Sequence, residues 1–157
     1  MPKKKLSDHE VRDFLAGERS GHLATCTASR TPYITPLNYM YHQGNIYFHC
    51  AHEGLKLDNI RVNNQVCFEV SRVDKAVSGA LACQYSTRYT SVLLFGSAQI
   101  VEDSPRKTEL LNLFTEKFAE GRSFPPIDHK AASRVTVVEI VVDRMHGKSN
   151  VDPESVR

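Results

Sequence analysis

The 157-residue sequence predicts a mainly β domain with α-helices: an antiparallel barrel of about six strands with helices packed outside. Three observations carry this expectation. Short apolar runs of strand character are joined by hairpin-like turns. These runs do not alternate regularly with long helical ones, which disfavours a doubly wound parallel sheet and suits an antiparallel barrel. Finally, 41% hydrophobic and 24% charged residues give an ordinary globular balance, which excludes disordered and fibrous classes. The length fits a single domain, residues 1–157, able to bury roughly 70% of its unfolded surface without staples.

Each element has a local cause. Ser7-Asp8-His9-Glu10 is a capping box that opens the first helix; Val11, Phe14 and Leu15 form its stripe and Gly17 its stop. His22 to Thr27 reads as a strand, followed by a polar turn at Ser29 to Pro32. Tyr33 to His42 reads as a second strand, and Gln43-Gly44-Asn45 turns the chain into Ile46 to Cys50. Gly54 to Asn63 is helical, with Leu57 and Ile60 on one face, and Gln65 to Val73 returns to strand. A loop is expected from Asp74 to about Ala82, then a long strand from Ser91 to Val101. Gly96, inside that strand, marks a bulge or a close approach. Ser104, followed by Pro105, caps a helix striped by Leu110, Leu111, Phe114 and Phe118 and closed by Gly121. Val135 to Met145 is the last strand; from Gly147 the chain is polar, with a tail from about residue 149.

Composition also narrows the function. Twenty Lys+Arg against eighteen Asp+Glu leaves +2, too little for a nucleic-acid binder, and the Lys3-Lys4-Lys5 run reads as a frayed terminus. Apolar runs such as Val135 to Val142 are too short for a bilayer, and no charged-then-apolar segment opens the chain. A soluble, cytoplasmic protein is expected, with no membrane partner. Cys26, Cys50, Cys67 and Cys83 form no C-x-x-C pair and read as buried reduced thiols. Dinucleotide, Walker, nucleophile-elbow and H-E-x-x-H signatures are absent.

One stretch carries chemistry. Tyr47 to Cys50 ends a strand, a short loop follows, and a helix begins near Gly54 with Lys56 in its first turn. Open amides and positive dipole character favour an anion there, and the Lys56 ammonium can cover the same spot. The alternative is one more solvated lysine. His49, at the strand end, is suited to proton transfer near neutral pH, against a purely structural role. His52 lies three residues on, but no third ligand is spaced to complete a metal site. In Tyr33-Ile34-Thr35-Pro36-Leu37-Asn38-Tyr39, Pro36 cannot donate to a ladder, so an edge or gap is expected there. Backbone groups freed by it can bond a planar polar ring; the alternative is an ordinary edge strand.

These residues resemble the flavin-binding split-barrel superfamily that includes pyridoxamine 5′-phosphate oxidase, and within it the nitroimidazole-resistance (Nim-type) branch. The similar segments are Gly21 to Thr25, Pro32 to Tyr39, Tyr47 to Ala51 with Glu53 to Lys56, Val66 to Val70, Tyr89 to Gly96, and Gly147-Lys148. The resemblance implies a six-stranded antiparallel split β-barrel with flanking helices, forming a homodimer with FMN in two interfacial clefts. It implies that Thr35, Pro36, Leu37 and Asn38 line the flavin ring through backbone contacts. Phe48 and His49 would lie at the ring and ribityl side, Lys56 at the phosphate, and Ser91 and Val92 on the strand facing the partner's flavin. A side chain at Gly96 would then obstruct packing at that interface. The oxidase itself uses Arg/Lys-rich motifs where Thr35 and Asn38 stand here, so pyridoxamine phosphate oxidation is not the expected reaction. The activity implied is reduction of small electron-poor molecules such as nitroaromatics, with His49 delivering or orienting a proton; Tyr39 and Tyr85 are weaker candidates for pocket walls. The rival expectation is a flavin carrier or sensor without turnover, and a variant of it places haem or a deazaflavin in the cleft.

Overall fold

The computed structural model describes residues 3–150. Eight strands and four helices replace the expected six and three. They are β1 (Lys4–Lys5), α1 (Asp8–Gly17), β2 (Ser20–Cys26), β3 (Pro32–Asn38), β4 (Met40–His42), β5 (Asn45–Cys50), α2 (Leu55–Val62), β6 (Gln65–Val77), β7 (Ser86–Ile100), α3 (Ser104–Ala119), α4 (His129–Ala132) and β8 (Thr136–Asn150). A single 3-10 turn, Ala82–Gln84, precedes β7. No helix among the described residues is long and apolar enough to cross a membrane.

The local signals act as written at α1, where the Glu10 amide donates to Ser7 Oγ and the Ser7 amide to Glu10 Oε2. At α3 the cap is Asp103 rather than Ser104: its carboxylate accepts from the Arg106 amide at 2.8 Å. The lysine run is not frayed, because Lys4 and Lys5 pair with Ser149 and Lys148. That pairing, together with β7, carries β8 through the polar stretch to Asn150; the rest of the expected tail lies outside the described residues. The expected loop at Asp74 is also strand. β6 and β7 run on together to Val77 and Ser86 as a two-stranded ribbon, exposed along β6 and half-buried along most of β7, so polarity there is compatible with pairing. The cysteines are free, but three are only half-buried and Cys83 is exposed.

The sheet is antiparallel and open, in the order β3-β2-β6-β7-β8-β5-β4. Its two edge strands, β3 and β4, are consecutive in the chain and separated by Tyr39 alone. A single residue spans only about 3.5 Å per step, so the sheet must curl until its edges approach. One core results, with Leu23 of β2, Ile46 and Phe48 of β5, Phe68 of β6, Leu94 of β7 and Ile140 of β8 in a single buried cluster. Tyr39 belongs to it: fully buried, edge-on to Phe68, its hydroxyl donating to the Leu15 carbonyl at 2.8 Å. It is therefore not a pocket wall, and Tyr85 is largely exposed. A second cluster lies between the outer face of β5 and β8 and the helix α3.

Two internal features fix how the strands and α3 sit. Between Phe95 and Gly96 the β7–β8 register slips, leaving Asp143 of β8 as the extra residue of a bulge. A Cβ at Gly96 would lie 2.0 Å from the Val141 carbonyl oxygen, so the glycine is required by β8 of the same chain. At the far end of α3, Lys117 donates to the Glu18 carbonyl at 2.5 Å with its ammonium over the Tyr39 ring. Burial, with Arg19 nearby, lowers the Lys117 pKa to about 8.

Two outcomes follow from this packing. Gly96→Ala costs at least about 2 kcal/mol in urea unfolding, whereas Gly17→Ala, with nothing within 4 Å of the added carbon, leaves stability nearly unchanged. Because the folded-state pKa of Lys117 lies below that of a free lysine, the unfolded chain binds the extra proton above pH 8. Stability of the wild type relative to Lys117→Met therefore rises with pH from about 8 to about 10, read as urea midpoints across that range.

Candidate functional site

The start of α2 combines open backbone amides with a nearby ammonium, the features that favour an anion. Gly54, at a φ of 133° that an L side chain rarely adopts, turns the chain from β5 into the helix. No side chain caps this end, and the Gly54 carbonyl takes the amides of Leu57 and Asp58, so those of Leu55 and Lys56 stay open. The Lys56 ammonium folds back to 3.9 Å from where a Gly54 Cβ would stand, and it has no carboxylate partner among the described residues. Its charge reaches the end of β5: burial pushes the Cys50 thiol up, and Lys56 partly opposes that. Asp58, the acid of the first turn, is engaged by Arg61 at 3.0 Å. The helix is itself fixed by buried Asn59, whose amide donates to Thr25 Oγ1 at 2.9 Å.

That bond ties α2 to the β2–β3 hairpin, in the register that places Thr35 opposite Leu23 and Tyr33 opposite Thr25. β3 pairs only with β2, so the edge expected at Pro36 is present. Along it, Thr35 and Leu37 are half-buried while Ile34, Pro36 and Asn38 are exposed. The Thr35 hydroxyl oxygen is buried and has no hydrogen-bond partner. A buried polar atom left so costs about 1–3 kcal/mol, so it marks a place where a polar group is wanted.

His49 lies on the other face of β5 from Phe48. Its imidazole stands edge-on to Phe114 of α3, ring centroids 4.7 Å apart, with its other side open to solvent. Neither ring nitrogen has a hydrogen-bond partner among the described residues, and burial against α3 pushes its pKa below the ordinary histidine range. Phe48 and Val92 are sealed in the core, so only their backbones are available to a ligand. Ser91, half-buried on β7, is paired with Lys148 of β8, while His49 is paired with Val137. Lys148 and Val137 are eleven positions apart along β8, with the bulge at Asp143 between them. Thr35 to Asn38 thus lie on the β3 edge and Lys56 at the start of α2, while Ser91 and Val92 lie on β7, next to Leu93 in the cross-strand row Pro36–His22–Glu69–Leu93.

His52 is a structural residue: its ring nitrogens lie 3.0 Å from Thr136 Oγ1 and from the Ser133 carbonyl. No cluster that could hold a metal occurs among the described residues. Sequence reasoning missed Asn59, Phe114 and Glu139. Glu139 is buried and accepts from Asn45, Tyr47, Gln99 and Arg106 at 2.6–3.0 Å, which fastens α3 to the sheet. The signal was present, a lone acid inside an apolar strand.

A family model described as pyridoxamine 5′-phosphate oxidase matches residues 7–149. No curated protein sequence matches the chain. Among solved structures, a candidate 5-nitroimidazole antibiotic resistance protein from Bacteroides thetaiotaomicron is 24% identical, with a TM-score of 0.80 over 95% of this chain and 89% of that one. An FAD and heme binding protein from Mycobacterium smegmatis is 17% identical, TM-score 0.84, covering 99% and 78%. An FAD-binding protein from Mesorhizobium loti is 21% identical, TM-score 0.71, covering 96% and 100%. At these identities the likeness is one of fold.

The helix start yields its own outcome. Inorganic phosphate perturbs the amide resonances of residues 54–56, and Lys56→Ala weakens that binding about tenfold, the loss of one charge-assisted contact of about 1.4 kcal/mol. Perturbation spread evenly over the surface lysines would overturn the assignment.

Proposed function

This chain belongs to the pyridoxamine 5′-phosphate oxidase family, and we propose that it is an FMN-dependent oxidoreductase that reduces small electron-poor organic molecules, nitroaromatics among them. The carrying observation is the unpartnered Lys56 ammonium folded over the uncapped start of α2. A compact phosphate monoester fits both features together. Beside it, the free edge of β3 and the orphaned Thr35 hydroxyl fit a planar heterocycle rich in polar atoms.

Bound there, FMN supplies the hydride and electron transfer that side chains lack. The chain supplies the rest. Lys56 and the α2 amides hold the phosphate, and the backbone of Thr35, Pro36, Leu37 and Asn38 orients the ring. Phe48 contributes its backbone from the core side. Burial lowers the proton affinity of His49 and neither ring nitrogen has a hydrogen-bond partner among the described residues, so one can donate a proton toward the substrate while the other is reprotonated from solvent. The homodimer is part of the same reading. On this reading Ser91 and Val92, on β7, serve the cleft of a second copy, as the family resemblance implies.

A second reading, a flavin carrier or sensor without turnover, is supported by the shared fold of a neighbour whose name gives only the FAD and heme it binds, at 17% identity. FAD is accordingly the alternative cofactor, and chromatography of the extracted flavin separates the two.

Purified protein mixed with FMN is expected to turn yellow and to run as a dimer with one flavin per chain. With a nicotinamide donor under anaerobic conditions it reduces a nitroimidazole, and His49→Ala lowers that turnover about 100-fold while flavin stays bound. Bound flavin with no turnover would establish the carrier. Protein that takes up no flavin at all would end both readings.

A further inference from the structure

We infer that Phe114 of α3 is the positioning residue for His49, drying one side of the imidazole and fixing the direction in which its nitrogens point. This rests on the reading of His49 as the proton-bearing group. The two rings meet edge to face, 76° between planes, and Phe114 is itself buried. Phe118, one turn on, stacks on it with centroids 4.8 Å apart and planes within 11°, so the ring that touches His49 is braced from behind.

The helix carrying these rings is tethered at both ends. At its start Arg106 reaches Glu139 at 3.0 Å, and at its end Lys117 grips the Glu18 carbonyl. Those ties also account for the charges on the elements around His49. Glu139, two positions along β8 from the His49 partner Val137, is neutralised by Arg106, and Lys117 is turned to Glu18 and Tyr39. Among the described residues these charges are thus engaged elsewhere, and burial is the cause that lowers the imidazole's proton affinity. With no hydrogen bond to orient the ring, the edge-to-face contact is what restricts its rotation. An apolar brace of this kind keeps both nitrogens free for ligand, which a carboxylate or carbonyl partner would not.

The test is an NMR titration of the His49 ring protons in the full-length chain without added flavin, assigned by their loss in His49→Gln. In the wild type His49 is expected to titrate below the ordinary histidine range. Phe114→Ala moves its midpoint upward, because water reaches the inner side of the ring, and Phe114→Leu, still apolar, leaves the midpoint near the wild-type position. Phe118→Ala removes only the brace and gives a smaller upward shift; it stands in if alanine at 114 prevents folding. Equal midpoints in the wild type and every folded alanine variant, or equal shifts for Phe114→Ala and Phe114→Leu, would overturn the proposal. Since no flavin is present, a protein that never binds FMN would undo the proposed activity without altering this result.

Discussion

The structure depends on one covalent fact: the two edges of its sheet are joined through Tyr39 alone. β3 pairs with β2 at one end of the strand order and β4 pairs with β5 at the other, yet the chain passes between them in one step. The sheet can satisfy this only by rolling up, and rolling up turns β2, β5, β6, β7 and β8 inward onto a common core. Tyr39 is held in that role by its place in the core and its hydroxyl bond to Leu15 of α1. Burial keeps that phenol protonated, pushing its pKa far above the ordinary tyrosine range. The rolled sheet is not closed by a ladder between β3 and β4, so β3 retains a free edge. That edge, with α2 tied beside it through Asn59 and Thr25, is the part of the surface with both open backbone and an uncapped helix start.

β5 connects this architecture to chemistry because both its faces are in use. Ile46 and Phe48 face the barrel core, while Tyr47 and His49 face α3. Fastening a helix to the outside of a sheet strand needs either apolar contact or a satisfied polar anchor, and here there are both. The Glu139 carboxylate is almost completely buried, a placement that four hydrogen-bonding partners make tolerable and that keeps its pKa below the ordinary range despite burial. Tyr47 donates to it at 2.6 Å, so the strand that presents His49 and the helix that covers it share one anchor.

Much of this was legible in the sequence because the deciding signals were local. The capping box at Ser7, the turn at Gln43-Gly44 and the helix after Gly54 all depend on residues within four positions of one another. Gly96 was legible as a bulge or close approach; the cause lies in Val141 and the slipped register of β8, whereas an interface with a partner had been the expectation. What was not legible is long-range. The polar residues of Asp74–Lys75 and Gly147–Asn150 look like loop and tail, and become strand only because another strand lies alongside. The break at Tyr39 is invisible for the same reason, since β3 and β4 share one period and differ only in the strand each meets. At the site, Gly54 and Lys56 were readable from spacing, whereas Phe114 lies 65 positions from His49 and meets it only in the fold.

The division of labour between α2 and α3 has a consequence for how such a site can vary. On the proposed reading an anion at α2 is held by backbone amides and one ammonium, features that depend on Gly54, Lys56 and the Asn59–Thr25 tie. The environment of His49 depends on a different helix, fastened by a different set of bonds, on the opposite face of β5 from Phe48. Substitutions along α3 can therefore alter the proton affinity and orientation of the imidazole while the anion site stays intact, and changes at α2 can do the reverse. Sites that must keep one ligand group while meeting different substrates need this separation. Here it follows from a strand whose alternating side chains look into two different clusters.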